Sequence, residues 1–436
     1  MAARKGRPLL AAALSLALAA FSLSGCGTGK GAQAQHSSAA PAAVTLSFIS
    51  SWGGSDPKAN AIQNLLDAFS RQNPNIKVSN QSVFGDDFLP YLKTAFVSGN
   101  DPDVFGLWPG SDVDSMITHG KVADLTGLFE ADPSFKGSFG SDMWQYATYN
   151  GRVYGLPMEI IFEGLYINKD LFARHNVAVP RNFAQLKEAV RKFAAAGVTP
   201  IAYNNTAEGT YIYQNIAASI GGKAAIEHPI EGGKVNACYL AAMEDMRTLY
   251  DLHAFPADYL TLTSSERNTL FTDKQAAMIA QGSWFAAGVP ENSDVAFVRF
   301  PDCSQNGAGS SRIVYGLGNG VLHMSEKAWA AGGARRVAAV KLLRYLASPA
   351  SAKVLAQQTG MLSNVKFSGS VSYNAPVTAG LSLIAQSKEL IGPPDSYISR
   401  HSWENVIVQE FPSLFERSKT PAQIWQDAVN DGAAQD

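Results

Sequence analysis

The chain is poor in cysteine and in histidine, and its charge is nearly balanced. It contains three cysteines and seven histidines among 436 residues, with a formal net charge of −2. Binding to nucleic-acid phosphates requires a concentrated positive surface, so we expect no DNA or RNA partner. The histidines are scattered, with no pair four residues apart and no His-Glu-x-x-His sequence. This spacing argues against a zinc site.

Sequence signatures of common enzymes are also missing. The segment Gly316–Gly320 mimics part of a dinucleotide loop but lacks the third glycine at the proper spacing, and we interpret it as a flexible turn or hinge. The segment Gly282–Trp284 lacks the final glycine of a nucleophile elbow. The carboxylate pair of a glycoside hydrolase is defined by its separation in space, so this enzyme class stays an alternative. We expect a protein that is not an enzyme and uses no cofactor or metal.

The N-terminus carries an apolar run without a later counterpart of similar length. Arg4, Lys5 and Arg7 precede the apolar stretch Leu9–Phe21, and Leu-Ser-Gly-Cys follows at residues 23–26. A basic start, a short apolar segment and small residues before a cut site indicate an export signal, since a spanning helix needs about 20 apolar residues. The last four residues resemble a lipobox, which predicts a signal at residues 1–25 and a lipid on Cys26. The alternative is an ordinary secretory signal.

The rest of the chain is long enough for two domains. Removing 25 residues from 436 leaves 411, more than one compact core usually holds. Residues 26–43 are rich in Gly, Ala, Ser and Gln, which predicts a flexible linker behind the lipid. Cys238 and Cys303 then remain. In an exported protein they form one disulfide or stay as two buried thiols, and spacing alone does not decide between these.

From Val44 onward, strand-like and helix-like patterns alternate. Asn182 followed by Gln185 resembles a capping box, and Gly197 ends the helix that it starts. Alternation of this kind predicts α/β architecture with largely parallel sheets and ligand sites at the carboxyl ends of strands. The predicted strands are 44–48, 76–83, 199–203 and 276–280, and the predicted helices include 62–69, 183–193, 239–250 and 338–346.

Four tryptophans stand beside polar residues at the ends of predicted strands. Sugars need this mixture, because the C–H face of a sugar ring packs on a flat aromatic ring while the hydroxyl groups need directional polar partners. A single tryptophan is as often a core residue, but the shared position favours a binding site, whereas Trp144, Trp329 and Trp425 are expected to pack within helices. The four groups are Ser51-Trp52-Gly53-Gly54, Trp108 with Ser111 and Asp112, Gly282-Ser283-Trp284, and Ser402-Trp403-Glu404.

Several segments carry a family resemblance, in consistent order from about Val44 to Asp436. They are Leu92–Phe105 (LKTAFVSGNDPDVF), Tyr154–Pro157, Gly164–Phe172, Phe271–Trp284 and Ala338–Gly360. The first resembles the "LkxAxaSGxxPDvf" segment of the extracellular solute-binding proteins whose family contains maltose-binding protein, and the next two look like that family's crossing segment. Agreement of several segments is more specific than a match to any single motif.

The resemblance implies a fold, a role and a location. The fold is α/β, a two-lobed periplasmic-binding-protein-like fold of class II, whose hinge-joined lobes close over a ligand in the cleft between them. Lobe 1 is expected at 44–157 and 314–365, and lobe 2 at 158–313 and 366–436. The role is that of a monomeric receptor of an ABC importer, which the predicted lipid on Cys26 would anchor. It captures a carbohydrate at the outer face of the cell membrane or in the periplasm, and passes it to the permease subunits with their ATPase.

The resemblance also implies particular ligand contacts. Trp108, Trp284 and Trp403 are expected to stack on sugar rings, and Asp103 is expected to cap backbone instead. The chain departs from maltose-binding protein in lacking an evident basic residue beside Asp112. The implied ligand-binding residues are Ser51, Trp52, Asp56, Trp108, Asp112, Glu159, Glu208, Tyr211, Trp284, Trp403 and Glu404.

The identity of the ligand is left open by these positions. A disaccharide or oligosaccharide is favoured, although Asn405 and Val408 stand where maltose-binding protein has aromatic and basic contacts. A polyol, a glycerophosphodiester or a peptide is the alternative within the same role. A phosphate group would need cations, and the matched positions supply few of them.

Overall fold

The computed structural model describes residues 43–290, 293–318 and 320–432. The predicted signal, the predicted lipidation site Cys26 and nearly all of the predicted linker lie outside these residues. Within the described part of the chain, no helix combines the length and the apolar character that crossing a membrane requires.

The smaller of two large sheets is built mainly from the first part of the chain. Val44–Ile49 lies parallel to both Ile76–Asn80 and Val104–Gly106, while Val321–Met324 pairs antiparallel with Val104–Gly106. The helix Ala59–Gln72 buries its predicted apolar face. The strand order is Ile76–Asn80, Val44–Ile49, Val104–Gly106, Val321–Met324 and Leu156–Pro157.

The larger sheet is organised around the strand Glu159–Asn168. This strand runs antiparallel to all four of its partners, Ala276–Gly282, Val295–Val298, Arg312–Leu317 and Leu362–Ser363. Two outer strands, Thr199–Ala202 and Glu389–Ile391, are parallel to their neighbours. The sheet is therefore mixed, and the prediction of largely parallel sheets was wrong here. Alternating strands and helices do not reveal a strand that enters from another sheet and pairs with its partners in the opposite direction.

The chain passes between the two sheets at three places among the described residues. Met158 alone separates Leu156–Pro157 from Glu159–Asn168. The second passage lies between Arg312–Leu317 and Val321–Met324, and the third precedes Leu362–Ser363. These passages join two lobes, so the molecule has the two-lobed α/β fold with a hinge.

Two details of this region refine the expectations from sequence. Gly316 and Leu317 belong to a strand, so the turn predicted over Gly316–Gly320 does not include these two residues. Glu159 packs so closely against Gly320 that a Cβ there would collide with it. The lobe limits remain a prediction. Pairing with the larger sheet would move two of these limits. The strand Arg312–Leu317 begins before residue 314 but continues past it, and Leu362–Ser363 ends before residue 366, so residues predicted for lobe 1 would belong to lobe 2.

Local signals in the sequence locate several helix ends. The Asn182 side chain accepts a hydrogen bond from the Gln185 backbone N at 3.0 Å, and the helix Phe183–Ala195 stops just before Gly197, whose φ is +71°. The other helices of eight or more residues are Ala59–Gln72, Phe88–Val97, Ser111–Thr118, Tyr211–Glu227, Ala237–Asp251, Ser264–Thr272, Gly333–Leu346, Pro349–Thr359, Ala375–Gln386 and Pro421–Asn430. Shorter helices include Thr126–Glu130, Pro133–Gly137, Lys169–Arg174, Glu326–Ala330, Arg400–Ser402 and Phe411–Phe415.

Each lobe has its own buried core, and several polar groups within these cores are paired. Asp103 accepts a hydrogen bond from the Ser47 backbone N at 2.8 Å and forms an ion pair with Arg335 at 2.6 Å, which confirms its backbone-capping role. In the larger lobe, Trp425 is fully buried and its Nε1 donates to the Tyr213 hydroxyl at 3.0 Å. Cys238 and Cys303 are free thiols in the structure; Cys238 is buried, as the thiol alternative expected, but Cys303 is only partly buried.

The buried His323 makes stability depend on pH. The ring is 2% exposed, its Nδ1 lies 2.9 Å from the Tyr154 carbonyl O, and burial lowers its pKa to about 4. The unfolded chain binds more protons than the folded chain between the two pKa values, so stability is lost as the pH falls from 6.5 towards 4. This group should lower the free energy of unfolding by up to ~3 kcal/mol over that interval.

Urea unfolding at pH 7, 5.5 and 4.5 checks this expectation. The His323→Asn variant keeps a polar group near the Tyr154 carbonyl but does not titrate, so its unfolding free energy should vary less with pH. Parallel profiles for the variant and the wild type would contradict the assignment.

Candidate ligand-binding cleft

A cleft of about 690 Å³ lies between the two lobes. This volume falls within the roughly 300–1,000 Å³ that is typical of small-molecule sites. The smaller lobe contributes residues that follow the strands Val44–Ile49 and Val104–Gly106. The larger lobe contributes residues that follow Thr199–Ala202 and Ala276–Gly282, as well as a stretch between residues 393 and 409.

Ten of the eleven predicted site residues line this cleft. Trp52 is 1% exposed and therefore belongs to the core of the smaller lobe as well. The other lining residues from the prediction are Ser51, Asp56, Trp108, Asp112, Glu159, Glu208, Tyr211, Trp284 and Glu404. The fold thus brings together side chains that lie far apart along the chain, and the sequence pattern had identified most of them.

Trp403 does not line the cleft, and its predicted role in stacking was wrong. It is fully buried in the core of the larger lobe, where its ring stacks on Tyr213 with the ring centroids 5.9 Å apart. The residue follows a short helical turn and not a strand. Trp403 and Glu404 begin a π-helical segment, Trp403–Ile407, in which successive side chains point in different directions. Trp403 therefore faces the core while Glu404, one position later, faces the cleft.

Asp112 is the centre of a charged cluster on the smaller lobe. It is 4% exposed, Lys93 Nζ lies 2.7 Å from its Oδ1, and Trp108 Nε1 donates to its Oδ2 at 3.2 Å. Arg400 Nε, from the larger lobe, lies 3.8 Å from Oδ2. Basic residues therefore do lie beside Asp112, which corrects the expectation that none does. Both come from distant parts of the chain, so sequence spacing gave no signal for them.

Trp284 presents a ring on the opposite side of the cleft. The indole lies against the backbone of Gly282, where a Cβ would collide with it, so glycine is required at this position. Tyr211 meets the Trp284 ring edge to face, with 5.3 Å between the ring centroids. Nearby, Glu208 forms an ion pair with Arg267 at 2.9 Å, and Arg267 is 1% exposed. This wall offers an aromatic surface beside an oriented carboxylate.

Lys58 and Glu159 form a buried ion pair in the cleft wall. Lys58 Nζ lies 3.2 Å from Glu159 Oε1, and each side chain is 5% exposed. Burial by itself would lower the pKa of Lys58, but the Glu159 and Asp56 carboxylates outweigh it and raise that pKa. The pair joins the first helix of the smaller lobe to the first residue of the strand Glu159–Asn168.

Glu163 is a lining residue that sequence reasoning missed. It is 2% exposed, and burial, together with the charge of Asp395, raises its pKa well above the ordinary value. Asn215 Nδ2 donates to its Oε2 at 3.2 Å. A carboxyl group that holds its proton can donate to a ligand hydroxyl as well as accept from one. The only signal in the sequence was its position on a buried strand. That position is equally typical of a core residue, so it did not identify Glu163 as a site residue.

The cleft is suited to hold a ligand by hydrogen bonds and ring contacts. Within the described part of the chain, no group of three or more His, Cys, Asp or Glu side chains is arranged to hold a metal ion.

The fold and the cleft define a two-lobed solute-binding protein. The model of the bacterial extracellular solute-binding protein family matches residues 53–353, and the chain belongs to this family. The protein is accordingly a binding protein and not an enzyme, and it acts outside the cytoplasm.

Curated relatives match parts of the chain. The multiple sugar-binding protein of Streptococcus mutans is 24% identical over 61% of this chain and 64% of its own length. The maltodextrin-binding protein of Bacillus subtilis is 25% identical over 53% of this chain and 54% of its own. An uncharacterized ABC transporter extracellular-binding protein of Pyrococcus horikoshii is 28% identical over 34% and 35%. The chain thus spans less than two thirds of the length of these relatives.

Solved structures match nearly the whole described chain. A chitin oligosaccharide binding protein superposes with a TM-score of 0.77 and 20% identity over 89% of this chain and 99% of its own. A structure from a study of xylan utilization by Caldanaerobius polysaccharolyticus has a TM-score of 0.77 and 24% identity over 89% and 100%. At this identity the match shows the shared fold.

The Lys58–Glu159 pair gives a testable stability difference. Lys58→Met leaves the Glu159 carboxylate buried without its partner, which should cost about 3–5 kcal/mol of unfolding free energy. The double variant Lys58→Met, Glu159→Gln removes both charges and should recover most of that loss. Urea unfolding at pH 7 measures both, and a double variant no more stable than the single one would contradict the pairing.

Proposed function

We propose that this protein captures a carbohydrate, a disaccharide or oligosaccharide, by closure of its two lobes and delivers it to an ABC permease and its ATPase. The observation that carries the proposal is the cleft itself. An aromatic ring lying on backbone, Trp284, stands in one site with carboxylates that neighbouring cations hold in place.

Each of these features suits a sugar. A sugar ring packs its C–H face on an indole, and its hydroxyl groups donate to carboxylates of fixed orientation. Asp112 and Glu208 are held by ion pairs with Lys93 and Arg267, so less side-chain freedom is lost when a hydroxyl binds. Glu163 adds a buried carboxyl group whose raised pKa favours the protonated form, and that form can donate.

The names of the relatives support the same ligand class. Among curated relatives, one is a multiple sugar-binding protein and another a maltodextrin-binding protein. Among solved structures of the same fold, one is a chitin oligosaccharide binding protein, one is in complex with raffinose and one is maltose-bound. These neighbours differ in their sugars, so they favour carbohydrate as a class without selecting a member of it.

The cleft cations favour a neutral ligand over an anionic one. Lys58, Lys93 and Arg400 line the cleft, and each already has a carboxylate partner, at 3.2, 2.7 and 2.7 Å respectively. A phosphate group of a glycerophosphodiester would have to displace one of these carboxylates. A polyol would find the same hydroxyl partners but less use for an aromatic ring.

The ligand class can be tested by thermal unfolding of the chain from Val44 onward with mono- and oligosaccharides, polyols and glycerophosphodiesters. A ligand of the folded state at about 100 times its Kd adds roughly 2.7 kcal/mol of stability. We expect a raised Tm with one sugar class. No shift with any sugar, for a chain that unfolds cooperatively, would contradict the proposal.

Two tryptophan variants make this experiment specific. Trp284→Ala should weaken sugar binding by about tenfold or more, because a ring contact and its buried area are lost. Trp329→Ala is the matched control, because Trp329 lies in the helix Glu326–Ala330 and does not line the cleft.

We also propose that the receptor is a monomer tethered by lipid on Cys26, at the outer face of the cell membrane or in the periplasm. Residues 27–43 would then separate the folded lobes from the bilayer. Cys26→Ala should release the protein from the membrane fraction, since the anchor depends on acyl chains attached at this residue. Immunoblots of membrane and soluble fractions measure this, with Cys303→Ala as the control. Retention of Cys26→Ala in the membrane fraction would refute the anchor.

A further inference from the structure

We propose that Arg400 determines ligand specificity by covering the ring of Trp108, so that the second aromatic surface of the cleft is withheld from the ligand. This inference rests on the proposed carbohydrate-binding function. It predicts that a sugar stacks on Trp284 and gains little from an additional ring placed at Trp108.

The Trp108 side chain is already occupied by protein groups. The guanidinium carbon of Arg400 lies 5.1 Å from the ring centroid, over the ring. The indole Nε1 donates to Asp112 at 3.2 Å, and Phe88 meets the ring edge to face, with 5.7 Å between centroids and an interplanar angle of 66°. One face, the N–H group and an aromatic contact of Trp108 are thus in use. A sugar would have to displace the guanidinium to stack on that face.

Arg400 is held in this position from both lobes. Its side chain is 16% exposed and forms ion pairs with Glu404 at 2.7 Å and Asp395 at 3.4 Å, both from the larger lobe. Its backbone N donates to Ser111 Oγ of the smaller lobe at 2.7 Å. A guanidinium with these two carboxylate partners, a third carboxylate (Asp112) at 3.8 Å and a ring beneath it has little freedom to swing away. The covering of Trp108 is therefore a fixed feature of the cleft in this structure.

The ring of Trp284 is in a different situation. Its support is the backbone of Gly282 and its aromatic neighbour is Tyr211. The cation–ring contacts found among the described residues include Trp108 and do not include Trp284. The two tryptophans that line the cleft and are partly exposed are thus unequal, and Arg400 makes the difference.

Three variants separate covering of the ring from charge. Arg400→Ala removes both, Arg400→Met removes the charge but leaves a flexible chain able to lie on the indole, and Arg400→Ala with Trp108→Leu removes the ring itself. Calorimetric titration gives the Kd of each for malto-, xylo- and chito-oligosaccharides of one to four rings. Thermal unfolding first establishes that each variant is folded.

For the wild type we expect affinity to stop rising with chain length once the Trp284 region is filled. For Arg400→Ala we expect affinity to keep rising with chain length. This variant should bind the longer members of the series about three- to tenfold more tightly than the shorter ones, a gain that corresponds to one added ring contact and that the wild type should lack. Arg400→Met and the double variant should lack that gain.

Two results would overturn the inference. One is an equal loss of affinity at every chain length in Arg400→Ala, which would make Arg400 a ligand contact or a clasp between the lobes. The other is a wild-type affinity that already rises with each added ring.

A measurement without ligand separates this inference from the proposed function. Arg400→Ala should make Trp108 fluorescence more accessible to acrylamide, and the added quenching should vanish in the double variant. If no oligosaccharide binds the wild type, the carbohydrate proposal fails, and the quenching result alone decides whether Arg400 covers Trp108. Unchanged quenching in Arg400→Ala would refute the covering in either case.

Discussion

The Lys58–Glu159 ion pair is the interaction on which the arrangement of the cleft depends. Glu159 begins the central strand of the larger sheet, two residues after Pro157, where the strand Leu156–Pro157 of the smaller sheet ends. Its partner belongs to the smaller lobe and packs 5.9 Å from the centre of the Trp52 ring. Removing two charges from water is costly, and the cost is offset only while both partners stay in place. The pair therefore fixes the start of the strand relative to the loop that carries Ser51, Trp52 and Asp56.

The same strand explains why one cleft contains such different carboxyl groups. Glu159 faces a lysine, whereas Glu163, four residues later, faces Asp395 and an amide, so burial favours its neutral form. Asp112 and Glu208 approach from other elements, each beside its own cation. Cleft walls built in this way carry directional acceptors and a donor with little uncompensated charge. Such walls suit ligands rich in hydroxyl groups better than ions.

The parts of the fold that follow from local physics could be read from the sequence. The buried face of Ala59–Gln72 and the Asn182 cap depend on residues within one or two helical turns, so their spacing reveals them. The mixed order of the larger sheet depends on which strands pair and in which direction they run, and the periodicity of the sequence carries no such information. Motif positions shared with a family supplied the two-lobed fold and most of the lining residues, because loops after strands return to the same place in related folds.

The residues that the sequence did not reveal are those whose role comes from a partner far away in the chain. Lys93 and Arg400 meet at Asp112 although nothing near Asp112 in sequence is basic. For Trp403 and Glu404 the prediction failed for a different reason. Both neighbouring residues were expected to contact the ligand, but the helical segment directs Trp403 to the core and Glu404 to the cleft. Arg400 lies one helical turn before Glu404 and forms an ion pair with it. Both residues therefore lie on the face of the segment that is directed to the cleft, whereas Trp403 lies on the face that is directed to the core. The geometry of this short helical segment thus explains both results: it buries the Trp403 ring in the core and places Arg400 over the Trp108 ring.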